Sequence, residues 1–329
     1  MRRSLLSIVG FVVASLCISA CSGTAAGPRP QPFFAQPPMP AWQALAPNNM
    51  PMLVAFDNTS GRIVFWPMKK GGGSHPTPLS PPLGLTSIAA LAGIGDTIAM
   101  AQQFPAGVVL YDLKAQTMRS FPDPFGVPLD IAVGKDLSIY VVNAAHTGSS
   151  VTWYQPPAHK PVELVCGVMP LGESVAVDNE GDIFEQGYGR RNAFVAEIPN
   201  GPNGPEPQDC VKLPLRTNMG YTGGIVTNPA NDDLITLDDP DLCAGGREGR
   251  VTTYPKPYNA DTAKSRVVGY NCSGGLRINA DATRVFFGDT DVSESFFFIL
   301  QRGYPNGEDE GIYHGLTSGL TTIPNTLPN

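Results

Sequence analysis

The sequence predicts an all-β fold, and three observations lead to this prediction. The 329 residues include 36 Gly and 33 Pro, too many turn-forming residues for a helical protein. Hydrophobic residues make up 42% of the chain and charged residues 16%, so the chain is too apolar to be disordered. Short apolar runs separated by polar turns recur throughout, whereas no window shows helical periodicity. The nearest candidate for one helical turn is Asp261 to Ser265.

The apolar runs follow a repeated pattern. LDIAVGKDLSIYVVNA, from Leu129, and LGESVAVDNEGDIFEQGY, from Leu171, each contain a short apolar run, a polar turn and a second apolar run. A third run and a weaker fourth run follow, as in SSVTWYQP at Ser149 and PVELVCG at Pro161. Four short strands recurring at about 42 to 55 residues are typical of a β-propeller, in which each repeat forms one antiparallel sheet.

The number of third strands predicts six blades. These strands are GRIVFWPM, AGVVLYDL, SSVTWYQP, NAFVAEIP, GRVTTYPK and ESFFFILQ. They are apolar at nearly every position, as expected of radially arranged sheets that pack on both faces. The first repeat begins at Met52 without an inner strand, and GLTTIPNTLP from Gly319 is left to supply it. The sequence therefore predicts that the C-terminal segment closes the ring.

The N-terminus has the features of a targeting segment. A basic start at Met1 to Arg3 precedes an apolar run from Leu5 to Leu16, which is short for a membrane span. Ile18-Ser19-Ala20-Cys21 resembles the bacterial lipobox. This resemblance implies cleavage before Cys21, lipidation of its thiol and anchoring to a membrane surface. The alternatives are an ordinary secretory signal with a chance cysteine, and an uncleaved anchor.

The predicted organisation has three parts. Residues 1–20 form a lipoprotein signal peptide, residues 21–50 a lipidated cysteine with a Pro/Ala-rich linker, and residues 51–329 the propeller. We expect the protein in the extracytoplasmic cell envelope, on the periplasmic side of the membrane. Ser22 is not aspartate, so by resemblance to the Gram-negative sorting pattern the outer membrane is favoured if the host is Gram-negative.

Cysteine usage agrees with export. Once Cys17 and Cys21 are assigned to the N-terminus, four cysteines are left: Cys166, Cys210, Cys243 and Cys272. In an oxidising compartment they suggest two disulfides, with three possible connectivities. Cys166 and Cys210 occupy matching outer-strand positions of blades three and four, and a Cys243–Cys272 bridge would pin the long loop of blade five. This pairing is the expected one.

The fourth repeat carries a family resemblance. PLGESVAVDNEGDIFEQGYGRRNAFVAEIP looks like an NHL-type repeat, and RINADATRVFFGD resembles the equivalent turn of other extracytoplasmic propellers. The chain thus resembles NHL-repeat, TolB-like and gluconolactonase-like six-bladed propellers. The last of these resemblances implies a divalent cation at the channel mouth that polarises a carbonyl group and activates water.

Several aspartates of the sequence are candidates for binding such a divalent cation. Asp-rich loops follow the second strands of blades five and six, and oxygen ligands of this kind suit Ca²⁺ or another divalent cation. The candidate metal ligands are Asp238, Asp241, Asp289 and Asp291. The candidate ligand-binding residues of the rim are Asn143, His146, Glu173 and Arg190. Solvated acidic loops are the alternative, since the spacing does not demand a metal.

The expected function is binding. The sequence lacks GxSxG, HExxH, P-loop and CxxCH motifs. A net charge of −7 argues against nucleic acid as a partner. The sequence therefore favours a lipid-anchored, monomeric, non-enzymatic binding or scaffold module for a protein, glycan or small ligand at the propeller rim. The alternative is a divalent-metal-dependent hydrolase of the lactonase type.

Overall fold

A computed structural model describes most of the predicted propeller. The described residues are 51–68, 72–73, 75–145, 148–189, 192–216, 219–239, 249–268, 274–290, 297–305, 307, 309–314 and 318–323. The signal peptide, Cys21 and the linker lie outside these residues, so the predictions made for them stay predictions. No helix within the described ranges is long and apolar enough to cross a membrane.

Twenty-six strands, numbered β1–β26 in chain order, account for most of the described residues. The strands of blades one to three are β1 (Met52–Asp57), β2 (Arg62–Pro67), β3 (Thr77–Pro78), β4 (Ile88–Ile94), β5 (Thr97–Gln102), β6 (Gly107–Asp112), β7 (Thr117–Pro122), β8 (Val127–Val133), β9 (Ile139–Ala145), β10 (Gly148–Gln155) and β11 (Lys160–Leu164). The strands from blade four to the C-terminus are β12 (Leu171–Val177), β13 (Ile183–Tyr188), β14 (Ala193–Ile198), β15 (Asn200–Gly201), β16 (Gly204–Pro205), β17 (Val211–Lys212), β18 (Tyr221–Thr227), β19 (Leu234–Asp239), β20 (Arg250–Tyr254), β21 (Lys264–Val267), β22 (Gly274–Ile278), β23 (Arg284–Thr290), β24 (Phe297–Gly303), β25 (Asp309–His314) and β26 (Ser318–Ile323).

The strands form six four-stranded antiparallel sheets, which confirms the predicted six-bladed propeller. From the innermost strand outward, the blades are β26-β1-β2-β3, β4-β5-β6-β7, β8-β9-β10-β11, β12-β13-β14-β17, β18-β19-β20-β21 and β22-β23-β24-β25. A small hairpin, β15–β16, interrupts blade four before its outer strand. We call the face on which the inner strands begin the top face, and the face on which they end the bottom face.

The ring is closed by the C-terminal strand, as predicted. β26 pairs antiparallel with β1, and Ala55 lies opposite Leu320 in this ladder. β26 also packs against the inner strands of blades two and six, so the six inner strands form an unbroken circle. Blade one is therefore built from the two ends of the propeller domain, which leaves no inner edge unpaired.

Apolar side chains fill the gaps between neighbouring blades. Because successive residues of a strand point to opposite faces, each middle strand packs against the blade on either side. In blade three, Val141 packs toward blade two, and Tyr140 and Val142 pack toward blade four. This arrangement explains why the strands read as nearly continuous apolar runs.

A disulfide joins Cys166 to Cys210 with their Cα atoms 5.5 Å apart, which confirms one predicted bridge; Cys243 and Cys272 lie outside the described residues. A short 3₁₀ helix, Ala260–Thr262, lies at the start of the predicted helical turn at 261–265, whereas Lys264 and Ser265 belong to β21. The start of this 3₁₀ helix is capped by Asn259, whose side chain accepts hydrogen bonds from two backbone amides.

Candidate functional site

Asn143, a predicted rim residue, lies at the top of blade three and is fully buried. Its Nδ2 donates to Asp123 Oδ2 over 3.1 Å and to Thr152 Oγ1 over 2.7 Å. Asp123 belongs to the segment that connects blade two to blade three, and its other oxygen accepts from Thr152 Oγ1 at 2.9 Å. Asn143 thus holds this connection in place between blades two and three.

Glu173, a second predicted rim residue, occupies a β-bulge. The ladder between β12 and β13 skips Glu173, because Gly172 pairs with Gly187 and Ser174 with Gln186. Its carboxylate accepts a hydrogen bond from the Thr222 hydroxyl of blade five. Burial raises the pKa of Glu173, and this hydrogen bond opposes part of the rise. The bulge therefore directs Glu173 toward the gap between blades four and five.

Asp238, a predicted metal ligand, is engaged by an arginine. The carboxylate is buried, and its Oδ2 lies 2.7 Å from Nη2 of Arg250 on the next strand. Burial raises the pKa of Asp238, and the charge of Arg250 opposes this effect. A cation at Asp238 would have to compete with this ion pair.

Of the predicted metal ligands, only Asp238 has a described side chain, and its carboxylate pairs with Arg250. The rim candidate Asn143 bonds to Asp123 and Thr152, and the rim candidate Glu173 bonds to Thr222. His146, Arg190, Asp241 and Asp291 lie outside the described residues, as does the side chain of Asp289. Their proposed roles stay predictions.

An ion pair that the sequence reading missed crosses the central channel. Arg277, on the inner strand of blade six, places Nη2 2.6 Å from Asp130 Oδ1 on the inner strand of blade three. The guanidinium also donates to the Leu91 carbonyl of blade two over 3.2 Å. Asp130 Oδ2 accepts from the Val175 amide of blade four at 3.2 Å. Four inner strands are thus connected through one salt bridge, which blocks the channel.

Below this salt bridge the channel ends in a cavity of about 130 Å³ on the bottom face. The cavity is walled by the last residues of all six inner strands and has Arg277 at its inner end. The Arg277 nitrogens already donate to carbonyl groups and to Asp130, so they leave little capacity for a ligand. The cavity by itself is therefore a small recess of mixed polarity.

A larger groove of about 560 Å³ lies on the bottom face between blades three and four. Its walls are the turn after β8, the side chains of Tyr140, Trp153 and Gln155, the turn after β12, and the β15–β16 hairpin. Lys135, Asp178 and Asn179 line both the groove and the channel cavity, so the two spaces are adjacent.

Three carboxylates close to the groove have the spacing of a cation site: Asp178, Glu180 and Asp182. Lys256 of blade five already supplies a cation there, with Nζ 2.7 Å from Glu180 and 3.2 Å from Asp178. Burial would lower the pKa of Lys256, but the two carboxylates raise it well above its ordinary value. This ion pair fastens blade five to the turn of blade four.

Glu185 is a buried acid that the sequence reading also missed. Only 1% of the residue is exposed, and its carboxylate accepts a hydrogen bond from Ser149 of blade three. Gly172 packs directly against this carboxylate, since a Cβ at that position would clash with it. Burial raises the pKa of Glu185 to about 7, despite the opposing effect of the Ser149 hydrogen bond.

We expect Glu185→Gln to stabilise the protein above neutral pH. The pKa of Glu185 is higher in the folded state than in the unfolded chain, so the unfolded chain binds fewer protons between pH 4.5 and about 7. Stability from this group is therefore full below pH 4.5 and is lost as pH rises to about 7. At pH 8, Glu185→Gln should raise the free energy of unfolding by about 2–3 kcal/mol, and at pH 4.5 it should have little effect.

Urea unfolding of both proteins at the two pH values measures this difference. The exposed Glu163→Gln is the matched control, and it should change stability little at either pH. Equal effects of Glu185→Gln on the free energy of unfolding at pH 4.5 and pH 8 would contradict the raised pKa of Glu185.

Comparisons with known proteins support the fold. A chain of the nidogen/laminin complex gives a TM-score of 0.65 at 12% identity, covering 84% of this chain and 99% of that chain. TolB from Acinetobacter baumannii gives a TM-score of 0.55 at 12% identity, covering 83% of this chain and 69% of that chain. A putative gluconolactonase gives a TM-score of 0.53 at 11% identity, covering 79% and 90%. No protein-family model matches the sequence. No curated protein matches it either.

The class of protein is thus defined by its fold. The chain is a six-bladed β-propeller with TolB and a putative gluconolactonase among its structural neighbours, in agreement with the sequence resemblance. At these identities the likeness shows the fold alone, and propellers with this fold serve several unrelated functions.

Proposed function

We propose that this protein is a lipid-anchored, extracytoplasmic binding or scaffold module that presents its bottom face to a ligand. The observation that carries the proposal is the groove between blades three and four, whose volume of about 560 Å³ is in the range of ligand sites. The lipobox-like Ile18 to Cys21 supports anchoring at the cell envelope. With the channel closed by Arg277 and Asp130, the groove is the open recess next to the channel mouth.

The alternative of a metal-dependent lactonase gains no specific support from the described residues. Such an enzyme needs several oxygen ligands converging on one cation. Here Asp238 is paired with Arg250, and the acidic cluster beside the groove is paired with Lys256. A binding role does not require Asp238 or the acidic cluster to be available to a metal ion.

Site-specific photo-crosslinking of the full-length protein in cells tests the binding proposal. A photoreactive amino acid at Gln155 or Asn203, both exposed in the groove, should give crosslinked products. The same amino acid at Gln208, an exposed position outside the groove lining, is the control and should give none. Equal crosslinking from all three positions, or none from the groove, would count against the groove as a binding surface.

The anchor has a separate test. Radiolabelled palmitate should be incorporated into the wild-type protein, and Cys21→Ser should abolish labelling and release the protein from the membrane fraction. Retention of the label in Cys21→Ser would contradict the predicted lipidation site.

A further inference from the structure

The groove has an aromatic wall formed by two neighbouring strands. Trp153 on β10 lies directly opposite Tyr140 on β9, so their side chains stand side by side on the face toward blade four. Tyr140 is buried and Trp153 is half-buried. Gly204 of the hairpin packs against Trp153, since a Cβ there would lie 3.0 Å from Trp153 Cη2. This packing fixes the indole ring at the side of the groove.

Two planar amide groups lie beside the aromatic wall. Gln155 follows Trp153 on the same strand, and Asn203 lies on the hairpin; both are exposed. A primary amide both donates and accepts hydrogen bonds, so it can bind two adjacent hydroxyl groups at once. Aromatic rings provide flat apolar surface for the C–H faces of a sugar ring. Together these groups match the apolar C–H face and the hydroxyl-bearing edge of a pyranose.

The charges of the groove favour an uncharged ligand. Its lining contains Lys135 and three carboxylates, those of Asp136, Asp178 and Glu180. A polyanion would be repelled by this excess of negative charge. A cationic ligand would have to compete with Lys256, which already pairs with Asp178 and Glu180. Asp136 likewise accepts hydrogen bonds from the Ser138 amide and hydroxyl.

The hairpin side of the groove is held in position before any ligand binds. The Asn200 amide donates to Asp182 Oδ1, and Asn200 Nδ2 donates to the Glu180 carbonyl, both over 2.8 Å. The Glu206 amide closes the base of the hairpin on the Pro199 carbonyl at 2.9 Å. A rigid wall reduces the entropic cost of binding, which matters for hydroxyl-rich ligands whose individual contacts are weak.

From this geometry we infer that the groove binds an uncharged oligosaccharide that extends from the β15–β16 hairpin toward the channel mouth. Lys135, Asp178 and Asn179 border both spaces, so the channel mouth lies next to one end of the groove. The inference rests on the proposed binding function and names its ligand class.

Isothermal titration calorimetry of the purified full chain tests this inference, with chitohexaose and maltohexaose as uncharged probes. At least one of them should bind saturably. Gln155→Ala and Asn203→Ala, which alter exposed side chains only, should each weaken binding about tenfold. Trp153→Ala should abolish binding, provided that its circular dichroism spectrum matches the wild type. Gln208→Ala, the same substitution at an exposed glutamine outside the groove, should bind like the wild type.

Three results would overturn the inference: no saturable binding of either hexasaccharide, binding that Gln155→Ala and Asn203→Ala leave unchanged, or tighter binding of an oligogalacturonate of the same length.

The crosslinking experiment distinguishes failure of the oligosaccharide inference from failure of the proposed binding function. Specific crosslinks from Gln155 and Asn203 to a protein partner would contradict the oligosaccharide inference but support the proposed binding function. If the groove positions give no crosslinks and neither hexasaccharide binds, both proposals are contradicted.

Discussion

Deletion of β26 by truncation after His314 is expected to lower the melting temperature by about 10 °C or more. The deletion removes the partner of the β1 ladder and the Leu320 side chain, which packs with Ala55, Trp66 and Tyr313. Loss of one such buried leucine costs about 2–5 kcal/mol, and each lost ladder hydrogen bond costs about 1 kcal/mol more. Calorimetry or circular dichroism of the truncated and complete chains measures the change.

A synthetic peptide with the sequence of residues 315–329 provides the control. Added in excess to the truncated protein, it should restore part of the lost melting temperature, because binding to the folded state alone stabilises that state. An unchanged melting temperature after truncation would contradict closure of the ring by the C-terminal strand.

The second large effect is expected for Arg277→Met. The substitution keeps the apolar volume but leaves Asp130 without its partner, in a position where the carboxylate side chain is only 10% exposed. Removing one member of a buried ion pair costs about 3–5 kcal/mol, so the melting temperature should fall by about 10 °C. Urea unfolding at neutral pH is the measurement.

The double variant Arg277→Met, Asp130→Asn tests whether the loss comes from the unpaired charge. Asparagine still offers an oxygen to the Val175 amide, which Asp130 binds in the native protein. The double variant should therefore be more stable than Arg277→Met alone. Additive losses from the two single substitutions would show that Arg277 and Asp130 act independently, contrary to the channel-closing pair.

The architecture could be predicted because it repeats. Each blade buries both faces, so its apolar runs recur at similar spacing, and each run is short enough to be read locally. The closing strand could be predicted from the number of strands in each repeat. The first repeat lacks an inner strand, and an unassigned strand begins at Gly319. The Cys166–Cys210 bridge followed from matching positions in neighbouring repeats.

The channel-closing pair could not be predicted in the same way. Arg277 and Asp130 are 147 residues apart and meet only because the ring brings opposite inner strands together. A signal was present, since each charge interrupts an inner strand that is otherwise apolar or small, as in LDIAV and GGLRI. The sequence shows that these charges are unusual, but it does not show which one pairs with which.

The groove was even harder to predict than the ion pair, because it is formed by residues from separate elements that only the tertiary structure brings together. Trp153 lies in a third strand that reads as ordinary core, and its exposure is set by Gly204 and the hairpin of the next blade. Two-residue strands such as β15 and β16 carry too little pattern to be read from sequence. The Asp-rich loops of the sequence lie toward the top face, whereas the large described groove lies on the bottom face.

The most direct test of a binding module against a metal-dependent hydrolase is a thermal melt of the purified protein after EDTA treatment and after addition of Ca²⁺, Mg²⁺ or Zn²⁺. We expect the same melting temperature under all these conditions, because Arg250 holds Asp238 and Lys256 holds Asp178 and Glu180. A metal bound only by the folded protein at a hundred times its dissociation constant would add about 2.7 kcal/mol, an easily measured shift. A clear rise with one cation, lost in Asp238→Ala or Asp289→Ala, would contradict the account.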